Sequence, residues 1–178
     1  MVSTRDPFGP QLSSNFTGYR KNDKRQPGDL KLYMNHGTTR VTKWISPDYV
    51  TKNVALVKEW KVLVPKAGSD GGQKLPDVVL GRPLLSEPQS VCTLTYLAIG
   101  PFASKATAAN VEAYLRTRFA RFLIGLRKIS QDTTQKVFRF LPQQDWDHAW
   151  TDVELYKKYG ITADEQAYIE AMVKEMPA

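Results

Sequence analysis

Few residues in this chain could carry chemistry, and they stand far apart. Glu59-Trp60-Lys61 and Asp77 are the residue types of a Mg2+-dependent nuclease, where a carboxylate and a Glu-x-Lys element hold the metal and the attacking water. Here the Glu-x-Lys comes first, the reverse of the usual order, which argues against that reading. His36 and His148 lie more than a hundred residues apart with no partner at zinc-ligand spacing, so no metal site is expected. His36 sits near Arg40 and Lys43 and suits a phosphate contact. Cys92 lies within an apolar run and reads as an inert buried thiol. Asp6-Pro7-Phe8 lacks the second proline of the Asp-Pro-Pro-aromatic motif of amino-methylating enzymes. The glycine-rich segment 66–74, KAGSDGGQK, has flanking lysines, but a strand rather than a helix follows it, so it is not a phosphate-binding P-loop. No dinucleotide fingerprint occurs. The chain alone is expected to catalyse nothing and to hold no cofactor.

The elements that must position these residues are legible in part. Residues 1–28 carry spaced prolines and glycines around Arg20, Lys21, Lys24 and Arg25, and read as a lead-in or linker arm. DLKLYM (29–34) alternates as a strand does, and the polar run 35–40 after it reads as a loop. Ser46-Pro47 predicts a short helix over about 47–53, with a second helical turn near 55–58. WKVLVP (60–65) reads as a core strand, and 77–86 and 91–99 as two more joined through 87–90. Ser104 caps a predicted helix over residues 105–128, roughly 36 Å long at 1.5 Å per residue. Val111, Leu115, Phe119, Phe122, Leu123, Leu126 and Ile129 would form its core face. VFRFLP (137–142) alternates and stops at proline. Thr151-x-x-Glu154 and Thr162-x-x-Glu165 are capping boxes for two short helices that should fold back through Leu155, Tyr159, Ile161, Tyr168, Ile169 and Met172. The expectation is an α+β fold: a small mixed or antiparallel sheet with a long spacer-like helix over 29–146, and a C-terminal helical hairpin over 147–178 packing on the body.

Composition narrows the class. With 42% hydrophobic and 24% charged residues the 178-residue chain should fold around a core. It has no apolar stretch long enough to span a bilayer and opens on no signal-peptide pattern, so cytoplasm is the expected location. The formal charge is +7, with the basic excess confined to residues 1–145 and an acidic tail beyond. A basic body of this kind suits a polyanion, because neutralised phosphates release their counterions.

The wording of three segments is more specific. PLLSEPQSVCTLTYLAIGPF (83–102), AYLRTRFARFLIGLRKISQDTTQKVFRFLPQQDW (113–146) and WTDVELYKKYGITADEQAYIEAM (150–172) are together similar to the C-terminal target-recognition region of bacterial restriction-modification N6-adenine DNA methyltransferases, often fused to an endonuclease. The opening SxRDPFG…SNF and the strand KVLVPKA also resemble that region, while Leu94 stands where the family more often has an acidic residue. The layout resembles restriction specificity subunits as well, where a small sheet domain precedes a spacer helix. The resemblance implies a recognition domain separated from its methylase core. Double-stranded DNA and that upstream core would be its partners. S-adenosylmethionine, with Mg2+ where the parent also cuts DNA, would belong to the parent enzyme.

Residue chemistry then assigns candidates. Arg matches guanine, and Asn or Gln adenine, at base edges. The segments rich in such groups supply Arg20, Lys21, Lys24 and Arg25; Asn35, His36, Thr38, Thr39, Arg40 and Lys43; and Lys66, Ser69, Gln73 and Lys74. Arg116, Arg121 and Arg127 on the long helix suit phosphates, which position without specifying. Gln143 and Gln144 read as structural. The alternative class is an assembly domain whose apolar helix face docks on the methylase core, with DNA contact incidental; a divergent Mg2+-dependent nuclease is the further alternative.

Overall fold

The computed structural model describes residues 2–36, 39–68, 74–128 and 132–176. Within them lie strands β1 (Leu30–His36), β2 (Thr39–Ile45), β3 (Trp60–Pro65), β4 (Leu84–Ser86), β5 (Ser90–Cys92) and β6 (Tyr96–Phe102). The α-helices are α1 (Val54–Val57), α2 (Lys105–Arg116), α3 (Arg118–Gly125), α4 (Asp152–Tyr159) and α5 (Ala163–Met172). The fold is α+β, with two three-stranded sheets where the sequence suggested one. The first has the order β2-β1-β5, antiparallel between β1 and β2 and parallel between β1 and β5. The second, β4-β3-β6, is antiparallel throughout.

β3 is buried beyond Trp60 and apolar apart from Lys61 because both of its faces are covered. Val62 and Val64, with Leu97 and Ile99 of β6, join the core under the helices. Leu63, with Tyr96 and Ala98, joins a second core shared with Leu30, Leu32 and Val91 of the other sheet. Residues 2–28 belong to this body: Phe8, Leu12 and Phe16 are buried in the second core, and Val2 bridges to Ile99. The segment read as one strand over 91–99 changes sheets. It leaves β5 after Cys92, turns where the Thr93 and Thr95 hydroxyls bond each other at 2.7 Å, and enters β6 at Tyr96.

Four further expectations need correction. Of the residues read as a loop over 35–40, four lie in strands: β1 runs to His36 and β2 starts at Thr39, with Asn35 opposite Arg40 and His36 opposite Thr39, while residues 37 and 38 lie outside the described residues. Hairpin pairing satisfies the backbone of a run whose side chains look like a turn. In 77–86, Leu84–Ser86 pairs in the sheet, whereas Val79 sits in the left-handed region at φ 62, unfavourable for a β-branched residue. VFRFLP falls largely in a 3-10 helix, Gln135–Phe140, because Val137 and Phe138 are both buried in the first core while adjacent strand residues point to opposite faces. Around Ser46, the predicted helix is a single 3-10 turn, Pro47–Tyr49, with Ser46 as its cap.

The helix predicted over 105–128 is two helices. Ser104 caps α2 as expected, accepting from Thr107 N, but Thr117 leaves the helix at ψ 148. Thr117 Oγ1 donates to Tyr114 O and accepts from Ala120 N, closing one helix and opening the next. The Asp152 carboxylate takes the Arg118 and Phe119 amides at 3.0 and 2.8 Å. The backbone donors that start α3 are thus satisfied from outside it. Leu126, expected on the core face, is 64% exposed beyond the end of α3; Ile129 lies outside the described residues. Both C-terminal helices start at reciprocal capping boxes and pack through buried Leu155 and Ile169. Tyr159 is exposed at its edge yet stacks on Phe119, and Tyr168 is exposed but meets Phe122 edge-on.

Candidate nucleic-acid interface

The alternation of β1 divides its side chains between two faces. Leu30, Leu32 and Met34 are buried, whereas Lys31, Tyr33 and Asn35 are half-buried on the outer face. The register places Trp44, Thr42 and Arg40 of β2 opposite these three. The outer face is therefore a short ladder of cationic, aromatic and amide groups. The Arg25 guanidinium lies over the Trp44 ring at 4.7 Å, and Lys31 Nζ over the Tyr33 ring at 5.2 Å. Glu87 anchors this row, accepting from Lys31 Nζ at 2.7 Å and from the Tyr33 hydroxyl. Burial works against the Glu87 charge, yet these two bonds hold its pKa below the usual carboxylate value. Burial first, and then Glu87, pushes the Tyr33 phenol upward.

At the hairpin end the ladder runs into a groove of about 510 Å3. Asn35 and Arg40 form one wall, with Arg82, Lys174 and Glu175 brought alongside from distant parts of the chain. Tyr96 Oη donates to Asn35 Oδ1 at 2.6 Å, which orients the amide, and Arg40 donates to the Arg82 carbonyl. Gly68 and Gly81 contribute to the lining, and their backbones pack so closely that a Cβ on Gly68 would lie 2.3 Å from Gly81 Cα.

The predicted cations divide by their partners. Arg20 is bound to Asp29 at 2.7 Å, Lys43 to Asp23 at 2.8 Å, and Arg116 to Glu112. Lys66 donates to the Arg5 carbonyl, and burial with the nearby Arg5 charge lowers its pKa. Lys21, Lys24, Arg25, Arg40, Lys74 and Arg127 are exposed and make no ion pair with a carboxylate among the described residues. Arg127 covers the Phe140 ring at 4.4 Å. His36 and Thr39 are exposed at the hairpin end. Thr38, Ser69 and Gln73 lie outside the described residues.

Arg121 does not face a phosphate. It is fully buried, donating to Arg116 O at 3.0 Å and Val78 O at 3.1 Å, and burial pulls its pKa down to about 10. Lys128 donates to Val79 O at 2.6 Å. Together the two cations hold the left-handed turn at Val79 against α3. Gln144 is a buried hub, donating to Pro142 O and Tyr159 Oη and accepting from Lys158 Nζ, a structural role as the sequence suggested.

Two of the residues that suggested a nuclease, Lys61 and Asp77, take structural contacts. Lys61 is fully buried between the sheets and donates to the carbonyls of Glu59 and Glu87, and burial lowers its pKa to about 8. Asp77 N and O bond the backbone of Met172 and Lys174. Burial pushes the Cys92 thiol up to about 12, well away from a reactive thiolate. Among the described residues, no group of three or more His, Cys, Asp and Glu side chains could hold a metal ion, and no helix is long and apolar enough to cross a membrane.

The sequence reading missed Lys31, Tyr33, Thr42, Trp44, Arg82 and Lys174. The alternation of DLKLYM already separates Lys31 and Tyr33 from the core residues. Trp44 was hidden because its strand follows a polar run, and Arg82 and Lys174 meet only through the fold. No family model, curated protein or solved structure matches the chain.

Proposed function

We propose that this chain is the DNA-binding target-recognition domain of a restriction-modification N6-adenine DNA methyltransferase, acting on double-stranded DNA beside a methylase core. One observation carries the DNA part. Asn35, Arg40, Arg82 and Lys174 converge on one groove, joined to a cationic and aromatic sheet face, with Glu175 the one carboxylate among its described lining residues. Arginine and lysine at such a site bind phosphates, while the amide and the Arg40 guanidinium are donors suited to base edges. The net charge of +7 favours the same partner. The family part rests on the resemblance of 83–102, 113–146 and 150–172, and supplies the cofactor assignment: S-adenosylmethionine belongs to the core.

The test is duplex binding by fluorescence anisotropy across a salt series. Affinity should fall steeply with salt, and Arg40→Glu, Arg82→Glu and Lys174→Glu together should flatten the log–log slope by about one for each phosphate no longer neutralised. No binding at low salt removes the DNA reading. Fusion to an adenine methylase core lacking its recognition region tests the family part, with site-selective methylation as the expected result and none as the refutation.

The assembly reading is favoured by one feature, the exposed Leu126 and Phe140 that flank the Arg127 contact beyond α3. It predicts that the triple charge reversal leaves the DNA affinity of the fused enzyme unchanged.

A further inference from the structure

The outer face of the first sheet offers more than charge. Trp44 and Tyr33 are half-buried rings on neighbouring strands, placed by the register on the side of the sheet away from Leu30, Leu32 and Met34, with the Arg25 and Lys31 cations over them. Duplex DNA gives a protein base edges in its grooves, and the flat faces of its bases are covered by their neighbours. A row of aromatic rings with attached cations is matched instead to bases that have lost their stacking partners.

We infer that the β1–β2 face is a platform for unpaired bases in DNA, with Trp44 as the principal stacking residue. This goes beyond duplex recognition and relies on that reading only for the polyanionic partner. Arg25 already lies over the indole. Being exposed, it is free to shift aside for a base or to turn to the adjoining phosphate. Glu87 binds the Tyr33 hydroxyl and Lys31, holding that ring in place while neutralising the lysine. The phosphates therefore run past Arg25 and Arg40, away from the Glu87 carboxylate. Asn35 and Arg40, at the hairpin end of the same face, lie where the polar edge of a stacked base would meet donors.

The experiment compares an oligothymidylate of about ten nucleotides with an abasic strand of equal length, at low salt, by anisotropy. Both carry the same phosphates, so a difference reports the bases. The base-bearing strand should bind about tenfold tighter. That advantage should vanish in Trp44→Ala and persist in Trp44→Phe. Should Trp44→Ala lose its circular-dichroism signature, Trp44→Leu, which keeps apolar bulk without a π face, carries the same comparison. Equal affinity for the two strands, or an advantage that survives both Trp44→Ala and Trp44→Leu, overturns the proposal. Salt-dependent duplex binding without a base-dependent single-strand advantage would leave the proposed function standing and remove this inference. A base advantage without duplex binding would do the reverse.

Discussion

Replacing Asp152 should break the joint between α2 and α3. Its carboxylate accepts the Phe119 amide at 2.8 Å and the Arg118 amide at 3.0 Å, while Thr117 Oγ1 takes the Ala120 amide. In Asp152→Ala the two backbone donors lose a charged acceptor, and buried Phe119 leaves little room for water to replace it. Losing a cap costs about 0.5–2 kcal/mol, and a negative charge at a helix N-terminus contributes about 0.3–1 kcal/mol more. The second bond to the same carboxylate moves the sum to the upper part of that range, so about 2–3 kcal/mol is expected. Asp152→Asn keeps one acceptor oxygen and should lose about half as much. Urea unfolding of both variants measures this, with Asp164→Ala as the reference. Asp164 is an exposed acid in the first turn of α5, and its loss should cost no more than about 0.5 kcal/mol. If Asp152→Ala falls within about 0.5 kcal/mol of the unaltered protein, the break at Thr117 does not depend on this contact and the account of the two helices fails.

Stability should rise between pH 8 and 9. Lys61 ionises at about 8 when folded, against an ordinary 10.5, so above pH 8 the unfolded chain holds more protons and folding gains as pH rises. The gain is limited to about 1.4 kcal/mol per pH unit, and it should be absent in Lys61→Met. Above pH 9 the buried Cys92 thiol, raised to about 12 from 9.0, and Tyr114 and Tyr156, raised to about 12 from 10.0, act in the opposite direction, since the unfolded chain ionises them first. Equal pH slopes in the two proteins between 8 and 9 would contradict the burial argument for Lys61. Gly68→Ala should cost about 1–3 kcal/mol by overpacking, because its Cβ would lie 2.3 Å from Gly81 Cα, a backbone atom that cannot turn aside. An unchanged denaturation midpoint would show that the two segments separate freely.

Features set by neighbours in sequence were legible before the fold. The capping boxes at Thr151 and Thr162, the Ser104 cap, β3 and the alternation of β1 all depend on residues within a few positions of one another. Much of the candidate site did not. Residues 35–40 read as a loop, yet Asn35, His36, Thr39 and Arg40 lie in strands because β1 and β2 pair there. Charge alone could not tell exposed Arg40 from Arg121, which is buried on the carbonyls of residues 116 and 78.

The amino-acid order by itself determined an α+β chain with a basic body, two self-capped C-terminal helices and a central apolar strand, because propensity, period and capping act over single turns or pleats. The tertiary structure alone decided where the long helical pattern breaks, which cations are consumed internally and which meet in the groove. The physical reason is that a partner 34 residues away, Asp152 for the Arg118 amide, satisfies backbone donors as well as a continuing helix would. A local pattern carries no trace of such a partner, since either way the amides are bonded.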